Sequence, residues 1–299
     1  MRERRRSICP VLANILYAVH NAAGYDINVL QWNMHGECFT KCDPEAHGHC
    51  DPHYPSCQNR STSFLKDLLE KDGVPHLDFA GLEQLGSEDF VNKGLSSDRW
   101  GKELHRCGGE AGFGHFPFDV AVLFYDRQRW TPVSKPAGGC MESIMHVRYN
   151  NYRAFLIQAF KRNGTDDEVV VAVAHYSHAD FGLEDFQGQL NRMLRETHIE
   201  KLILLADTNR ECHTPSLDLM KGIYPAAHEI VSADLHHTCC IPHFEHCYDR
   251  IIAAKFPEAA PINTSLPMPT HDPPSWAVFN MHAPVHGKLS YKGIPTSVI

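Results

Sequence analysis

Two runs, Val169 to Ala174 and Leu202 to Leu205, are apolar at every position. A strand with one wet face alternates, so unbroken runs like these must be central and covered on both faces. Between them Phe186, Leu190, Met193 and Leu194 share one helical stripe. Strand, amphipathic helix and strand in that order predict a layered α/β (α+β) arrangement rather than an all-β one. Further strand candidates are Ile27–Trp32, Asp78–Leu82, Phe118–Tyr125, Arg153–Phe160, Asp249–Ala254 and Trp276–Met281. A second helix is expected on the stripe Phe64, Leu65, Leu68 and Leu69, with Ser61 to Ser63 as N-caps. The proline-rich stretch from Pro257 to Pro274 reads as an irregular surface loop.

The informative residues are polar ones at the ends of these apolar strands. A buried carboxylate or imidazole is costly unless it has a partner or a metal. Here they recur: Asn33, Glu83, His175, then Asp207 and Asn209, then Asp249, and His282 after the last run. Side by side, such strands would bring these ends to one sheet edge. Carboxylates, carboxamides and imidazoles together are the equipment for hydrolysis assisted by a hard divalent ion. Taken singly, each has a bland explanation. Asn33 or Asp207-Thr-Asn209 could end a strand in a turn, and most of the 21 histidines must be ordinary.

Their order changes that judgement. The segment Val29-Leu-Gln-Trp-Asn33-Met-His-Gly resembles the opening strand of the endonuclease/exonuclease/phosphatase superfamily. Asp78-Phe-Ala-Gly-Leu-Glu83-Gln resembles its strand with the metal-binding glutamate, and Val171-Ala-Val-Ala-His175 the strand ending in a histidine. Leu204-Leu-Ala-Asp207-Thr-Asn209 resembles its Gly-Asp-x-Asn turn, Tyr248-Asp249-Arg-Ile its aspartate strand, and His282-Ala-Pro-Val its closing motif. The resemblance spans nearly the whole chain. It implies a two-layer β-sandwich flanked by helices, deoxyribonuclease I-like, with the site at one edge. It also implies a metal-dependent phosphodiesterase. Glu83, with Asn33 and Asp207 nearby, would bind Mg²⁺ (or Mn²⁺ or Ca²⁺). His282, oriented by Asp249, would activate water. His175 would stabilise the phosphoryl oxygens or assist the leaving oxygen, and Asn209 would hydrogen-bond the phosphate. Arg153 and Tyr152 would contact a nucleic-acid backbone. Within the superfamily the cysteines point to pancreatic-type deoxyribonuclease, which implies a Cys212–Cys247 bridge. Cys239 and Cys240 are alternative partners.

Four positions depart from the pattern. Met281 stands where the family has an aspartate, and a thioether is a poor ligand for a hard ion. Glu83-Gln84 inverts the usual Gln-Glu order, a one-residue slip that would turn the carboxylate to the other face. Ala206 replaces a common glycine, and the acidic partner of His175 has only Asp119 as its nearest candidate. Three other readings follow. One is a sphingomyelinase-like enzyme, with Phe113, Phe116 and Phe118 as apolar contacts. The second is an inositol-phosphate phosphoesterase, and the third a catalytically impaired binding homologue, which Met281 suggests.

Composition sets the compartment. The formal charge of −8 argues against holding nucleic acid by bulk electrostatics, although a divalent ion can bridge two anions. Residues 1–24 read as a signal peptide: Arg2, Arg4, Arg5 and Arg6, an apolar stretch from Ile8 to Val19, then Ala22, Ala23 and Gly24. Removing Cys9 with it leaves ten of the 11 cysteines, an even number. Sequons at Asn59, Asn163 and Asn263 agree with a secretory route. Residues 25–299 then form one domain, expected as a secreted monomer acting on DNA. Its loop 38–57 is crowded with Cys38, Cys42, Cys50, Cys57, His47, His49 and His53. It lacks a Cys-x-x-Cys pair, so a disulfide-tied loop is expected ahead of a zinc site.

Overall fold

The two unbroken apolar runs become the parallel pair β8 (Glu168–His175) and β9 (Leu202–Asp207), in register from Val170 opposite Leu202 to His175 opposite Asp207. The crossover between them contains helix α2 (Leu183–Thr197), as its apolar stripe predicted. The structure is a computed structural model that describes residues 24–34, 54–70, 76–84, 98–108, 119–146, 149–177, 182–234, 236–239, 246–266 and 282–292. The expected signal segment up to residue 23, most of loop 38–57, Phe113, Phe116, Phe118 and the strand Trp276–Met281 lie outside those residues.

Two mixed sheets stack face to face. The first runs, in spatial order, β12 (Asn263–Ser265), β13 (Val285–Lys292), β1 (Gly24–Asn33), β2 (Phe79–Glu83), β4 (Asp119–Asp126) and β3 (Trp100–Cys107). The second runs β10 (Ile230–Ser232), β11 (Asp249–Ala254), β9, β8, β7 (Tyr149–Arg162) and β5 (Trp130–Pro132), with β6 (Ala137–His146) also pairing β7.

Period-two alternation sorts the strand residues into layers. Ile27, Val29, Phe79, Leu123, Val171, Val173, Ile203, Leu205, Ile251 and Ala253 point inward and form the core between the sheets. Leu30, Trp32, Ala80, Leu82 and Val122 point outward and are covered by Phe64, Leu65, Leu68 and Leu69 of helix α1 (Tyr54–Glu70). On the other side Phe155, Ile157, Ala172 and Leu204 are covered by Phe186, Leu190 and Met193 of α2. A large apolar side chain fully buried in these layers contributes about 1.5–3 kcal/mol. The expected two-layer sandwich flanked by helices is the observed architecture.

Two local expectations change. Ser61 to Ser63 do not cap α1, which already starts at Tyr54 with Pro55 in its first turn, where a missing N–H breaks no helical bond. Cap-forming residues were carried into the helix by the apolar stripe that follows them. The edge strand β3, with Lys102, Glu103, His105 and Arg106, and the strand β6 carried too little apolar alternation to be anticipated. These two are joined across the sandwich by a Cys107–Cys140 disulfide.

Candidate active site

The polar strand ends are the next steps of the inward-facing rows, so the apolar core between the sheets runs directly into them. Ile27 and Val29 lead to Gln31 and Asn33; Phe79 and Gly81 lead to Glu83; Leu123 and Ala121 lead back to Asp119. On the facing sheet Val171 and Val173 lead to His175, Ile203 and Leu205 to Asp207, and Ala253 and Ile251 back to Asp249. Glu83 therefore faces the site. The feared inversion at Glu83-Gln84 does not turn it away, because the row Phe79, Gly81, Glu83 keeps its parity. Gln84, just beyond, takes a positive φ of 55° as the strand ends.

Asp207 is the hub. Its Oδ2 accepts a 2.6 Å bond from Asn33 Nδ2, and lies 3.6 Å from His175 Nε2 and 3.8 Å from His282 Nε2. Each histidine is held from behind by another carboxylate. His282 Nδ1 is 2.7 Å from Asp249 Oδ2, and His175 Nδ1 is 3.0 Å from Asp119 Oδ2. Asp119, only the nearest candidate from sequence, is thus the acidic partner of His175. With Nδ1 set against a carboxylate, each ring turns its Nε2 toward the centre.

These contacts set the charges. Burial works against ionisation of Asp207, but His282 and His175, the Asn33 amide and the Asn209 N–H outweigh it and hold the carboxyl below its ordinary range. Burial likewise opposes charge on Asp119, and His175 and Arg153 overcome it in the same direction. Burial disfavours the imidazolium of His282, yet Asp249 and Asp207 prevail and raise its pKa. Glu83 goes the other way. Burial first, then Asp249, with Asp207 and Asp119 adding, push its carboxyl well above the carboxylate range against the opposing bond from Gln31.

Glu83 is also short of partners. Gln31 Nε2 donates to its Oε2 at 2.8 Å, while Oε1 is buried with no hydrogen-bond partner among the described residues. A fully buried carboxylate short of donors, beside Asp207 and Asp249, suits a hard divalent cation, which takes oxygen ligands. One oxygen each of Asp207 and Asp249 and one nitrogen of His282 lie within 4.8 Å of one another, and Glu83 is joined to Asp249 through the Gln31 amide that donates to both. The sheets come this close because Gly81 sits one inward step below Glu83. A Cβ there would stand 2.9 Å from Leu205 Cβ and 3.0 Å from Val173 Cγ2.

The surroundings lock the pieces. Asn209, at φ 47°, closes the turn with its N–H on Asp207 Oδ1 at 2.9 Å and one Nδ2 hydrogen on Tyr176 O at 2.8 Å. The Cys212–Cys247 disulfide ties that turn to the start of β11. Cys239 is disulfide-bonded as well, and its backbone bridges to His282. Trp32 Nε1 donates to His282 O at 3.0 Å. The structure separates the two expected substrate contacts. Arg153 is buried, with a guanidinium nitrogen 3.3 Å from His175 Nδ1, whereas Tyr152 beside it is 39% exposed. Gln31 and Thr238, whose Oγ1 accepts from Asp249 N–H at 3.2 Å, were not anticipated. Gln31 was legible as the inward residue two before Asn33. Met281 lies outside the described residues.

No family model and no curated protein matches the chain. Solved structures do. An endonuclease/exonuclease/phosphatase from Bacteroides vulgatus is 16% identical, with a TM-score of 0.57 over 89% of this chain and 99% of that one. The human Nocturnin catalytic domain with bound sulfate is 15% identical, with a TM-score of 0.57 over 91% and 98%. A Bacteroides thetaiotaomicron mannosyl-6-phosphatase is 13% identical, with a TM-score of 0.56 over 88% and 99%. At these identities the similarity establishes the fold. The chain has the deoxyribonuclease I-like fold shared by the endonuclease/exonuclease/phosphatase proteins.

Proposed function

We propose that this chain is a metal-dependent phosphodiesterase and, more narrowly, a secreted endonuclease that hydrolyses DNA. One observation carries the reading: two oppositely directed histidine–aspartate pairs converge on Asp207 beside a buried, under-partnered glutamate. Glu83 and Asp207, with Asn33 alongside, would hold a Mg²⁺-class ion. When bound, such an ion supplies charge neutralisation and polarises the phosphoryl oxygen. His282 Nε2 takes the proton of the attacking water, and Asp249 steadies the imidazolium that results. His175, backed by Asp119, faces the phosphoryl group and assists the leaving oxygen as the P–O bond breaks. The second Nδ2 hydrogen of Asn209 and the guanidinium of Arg153 meet phosphate oxygens.

Phosphoester chemistry is supported as a class by the range of like-folded structures, from the mannosyl-6-phosphatase to D. rerio TDP2 complexed with a single-strand DNA product. Secretion is supported by the disulfides and by the exposed sequon asparagines Asn163 and Asn263. The test is cleavage of plasmid DNA with Mg²⁺ or Mn²⁺, beside EDTA and a His282→Ala control. Cleavage abolished by both controls establishes the nuclease. A folded, disulfide-intact protein that leaves DNA uncut sinks it and makes phospholipids the next substrates to try.

A further inference from the structure

The sandwich carries a second group of metal-ligating side chains, one strand step outside the hub: His105 and Cys107 on the edge strand β3, with Cys107 in register with Asp119 of β4, and Cys140 on β6 of the other sheet, in register with Ala154 of β7. One ligand atom of each lies within 4.8 Å of the others. His105 Nε2 sits 3.6 Å from Cys140 Sγ. That is the edge of a zinc tetrahedron: Zn–S of about 2.3 Å and Zn–N of about 2.0–2.1 Å at a tetrahedral angle put N and S about 3.5 Å apart.

The imidazole has been given room to lie there. A Cβ on Gly138 would collide with both Cγ and Nδ1 of His105, so only glycine lets the ring rest on β6 two residues before Cys140. The ring is half-buried, and its Nε2 edge is the one turned to the cysteine pair. A like-composed group, Cys212, Cys247 and His237, has its imidazole exposed.

We propose that His105, Cys107 and Cys140 form a zinc site of two thiolates and one imidazole, which replaces the Cys107–Cys140 disulfide when that bond is reduced. The exchange balances. A dithiol gives two electrons and two protons to the S–S bond and leaves as its own disulfide. Zn²⁺ then displaces both thiol protons, makes two Zn–S bonds and accepts the Nε2 lone pair, with water in the fourth position. The sulfurs need only rotate apart to about 3.8 Å, the tetrahedral S–S edge for that bond length. The two sheets are clamped in either state, covalently in an oxidising compartment and by metal in a reducing one. The inference is independent of the nuclease reading.

The experiment reduces the full chain with a dithiol, removes the reductant by anaerobic gel filtration, adds Zn²⁺, dialyses, and counts zinc per chain by atomic emission. It is run on wild type, His105→Gln and the pair Cys107→Ser/Cys140→Ser, with His237→Gln as reference. Reduced wild type and His237→Gln should each hold one zinc more than the other two variants. Oxidised wild type should lack that zinc. Co²⁺ in place of Zn²⁺ should give sulfur-to-metal absorption that weakens by one site in His105→Gln. Oxidised His105→Gln should melt like wild type, which shows that this variant folds, while the serine pair tests the two thiols separately from the imidazole. Equal zinc in reduced wild type and both variants overturns the proposal, as does the same zinc in oxidised wild type.

Discussion

The two ends of the sandwich both bury carboxylates, and they treat them differently. Away from the active end, Asp78 accepts from Trp130 Nε1 at 2.6 Å and Asn28 N–H at 2.8 Å, and pairs with Arg129 at 3.0 Å. Asp167 meets Lys201 and the Tyr291 hydroxyl. At the active end Glu83 has, among the described residues, one amide donor and three neighbouring carboxylates. Burial raises both Asp78 and Glu83, but bonds to Asn28 and Trp130 and the Arg129 charge pull Asp78 back, while Gln31 alone does so for Glu83. A chain able to satisfy a buried acid five residues upstream leaves this one unsatisfied. The deficit marks a place for something positive.

The largest effect that would sharpen this contrast is on catalysis. His282→Ala should reduce phosphodiester hydrolysis by roughly 10²–10⁴-fold and cost about 1–3 kcal/mol, since it takes the 2.7 Å partner from buried Asp249, read by steady-state kinetics and urea unfolding. Next comes a paired comparison of the two ends. Asp78→Asn should cost about 1–3 kcal/mol in urea unfolding and preserve metal-induced stabilisation. Glu83→Gln should leave the metal-free protein as stable as wild type or more so, and abolish the rise in melting temperature with Mg²⁺ or Mn²⁺. If both variants respond to metal alike, the two ends are not different in kind. Gly81→Ala should cost about 1–3 kcal/mol, because the new methyl meets Leu205 and Val173 and pushes the sheets apart under Glu83. Its activity should fall with its stability.

The smallest effect is on pH. An imidazole can act as a base only when neutral, and burial opposes a charge on His282 while Asp249 and Asp207 prevail and raise its pKa. The acid limb of the activity profile should therefore sit above the ordinary imidazole range. Removing the negative charge in Asp249→Asn lowers that pKa, so the limb should move to lower pH even as the maximal rate drops. The same raised pKa makes the His282 contribution to folding stability present at low pH and lost as pH climbs through it. A limb that stays in place in Asp249→Asn would dissociate the pair.

Much of the site was written in strand parity. Glu83, His175, Asp207 and Asp249 each continue a row of inward apolar residues, and that signal survives without any relative to compare. Gln31 escaped because it lies one inward step inside the strand rather than at its end, where polar residues draw notice. The Glu83-Gln84 inversion looked damaging against a motif but is harmless against the pleat. The edge elements were harder. β3 runs through Lys102, Glu103, His105 and Arg106, and β13 sets His286, Lys288, Ser290 and Lys292 between its buried positions, one of which is only Gly287. Such strands are made by their neighbours, not by their own composition.

The order of strands in the first sheet has a consequence for how the protein is made. β1, near the start of the sequence, pairs along Gly24 to Gln31 with β13, which follows every other described strand and comes just after His282. The ribosome therefore releases Gln31, Asn33 and Glu83 long before the strand that completes their sheet or the imidazole that faces them. Closing contacts so distant in sequence is slow. A chain emerging from the ribosome, or one cut short, holds an incomplete hub. If the chain is a nuclease, the cell that synthesises it is spared until the last strand is in place.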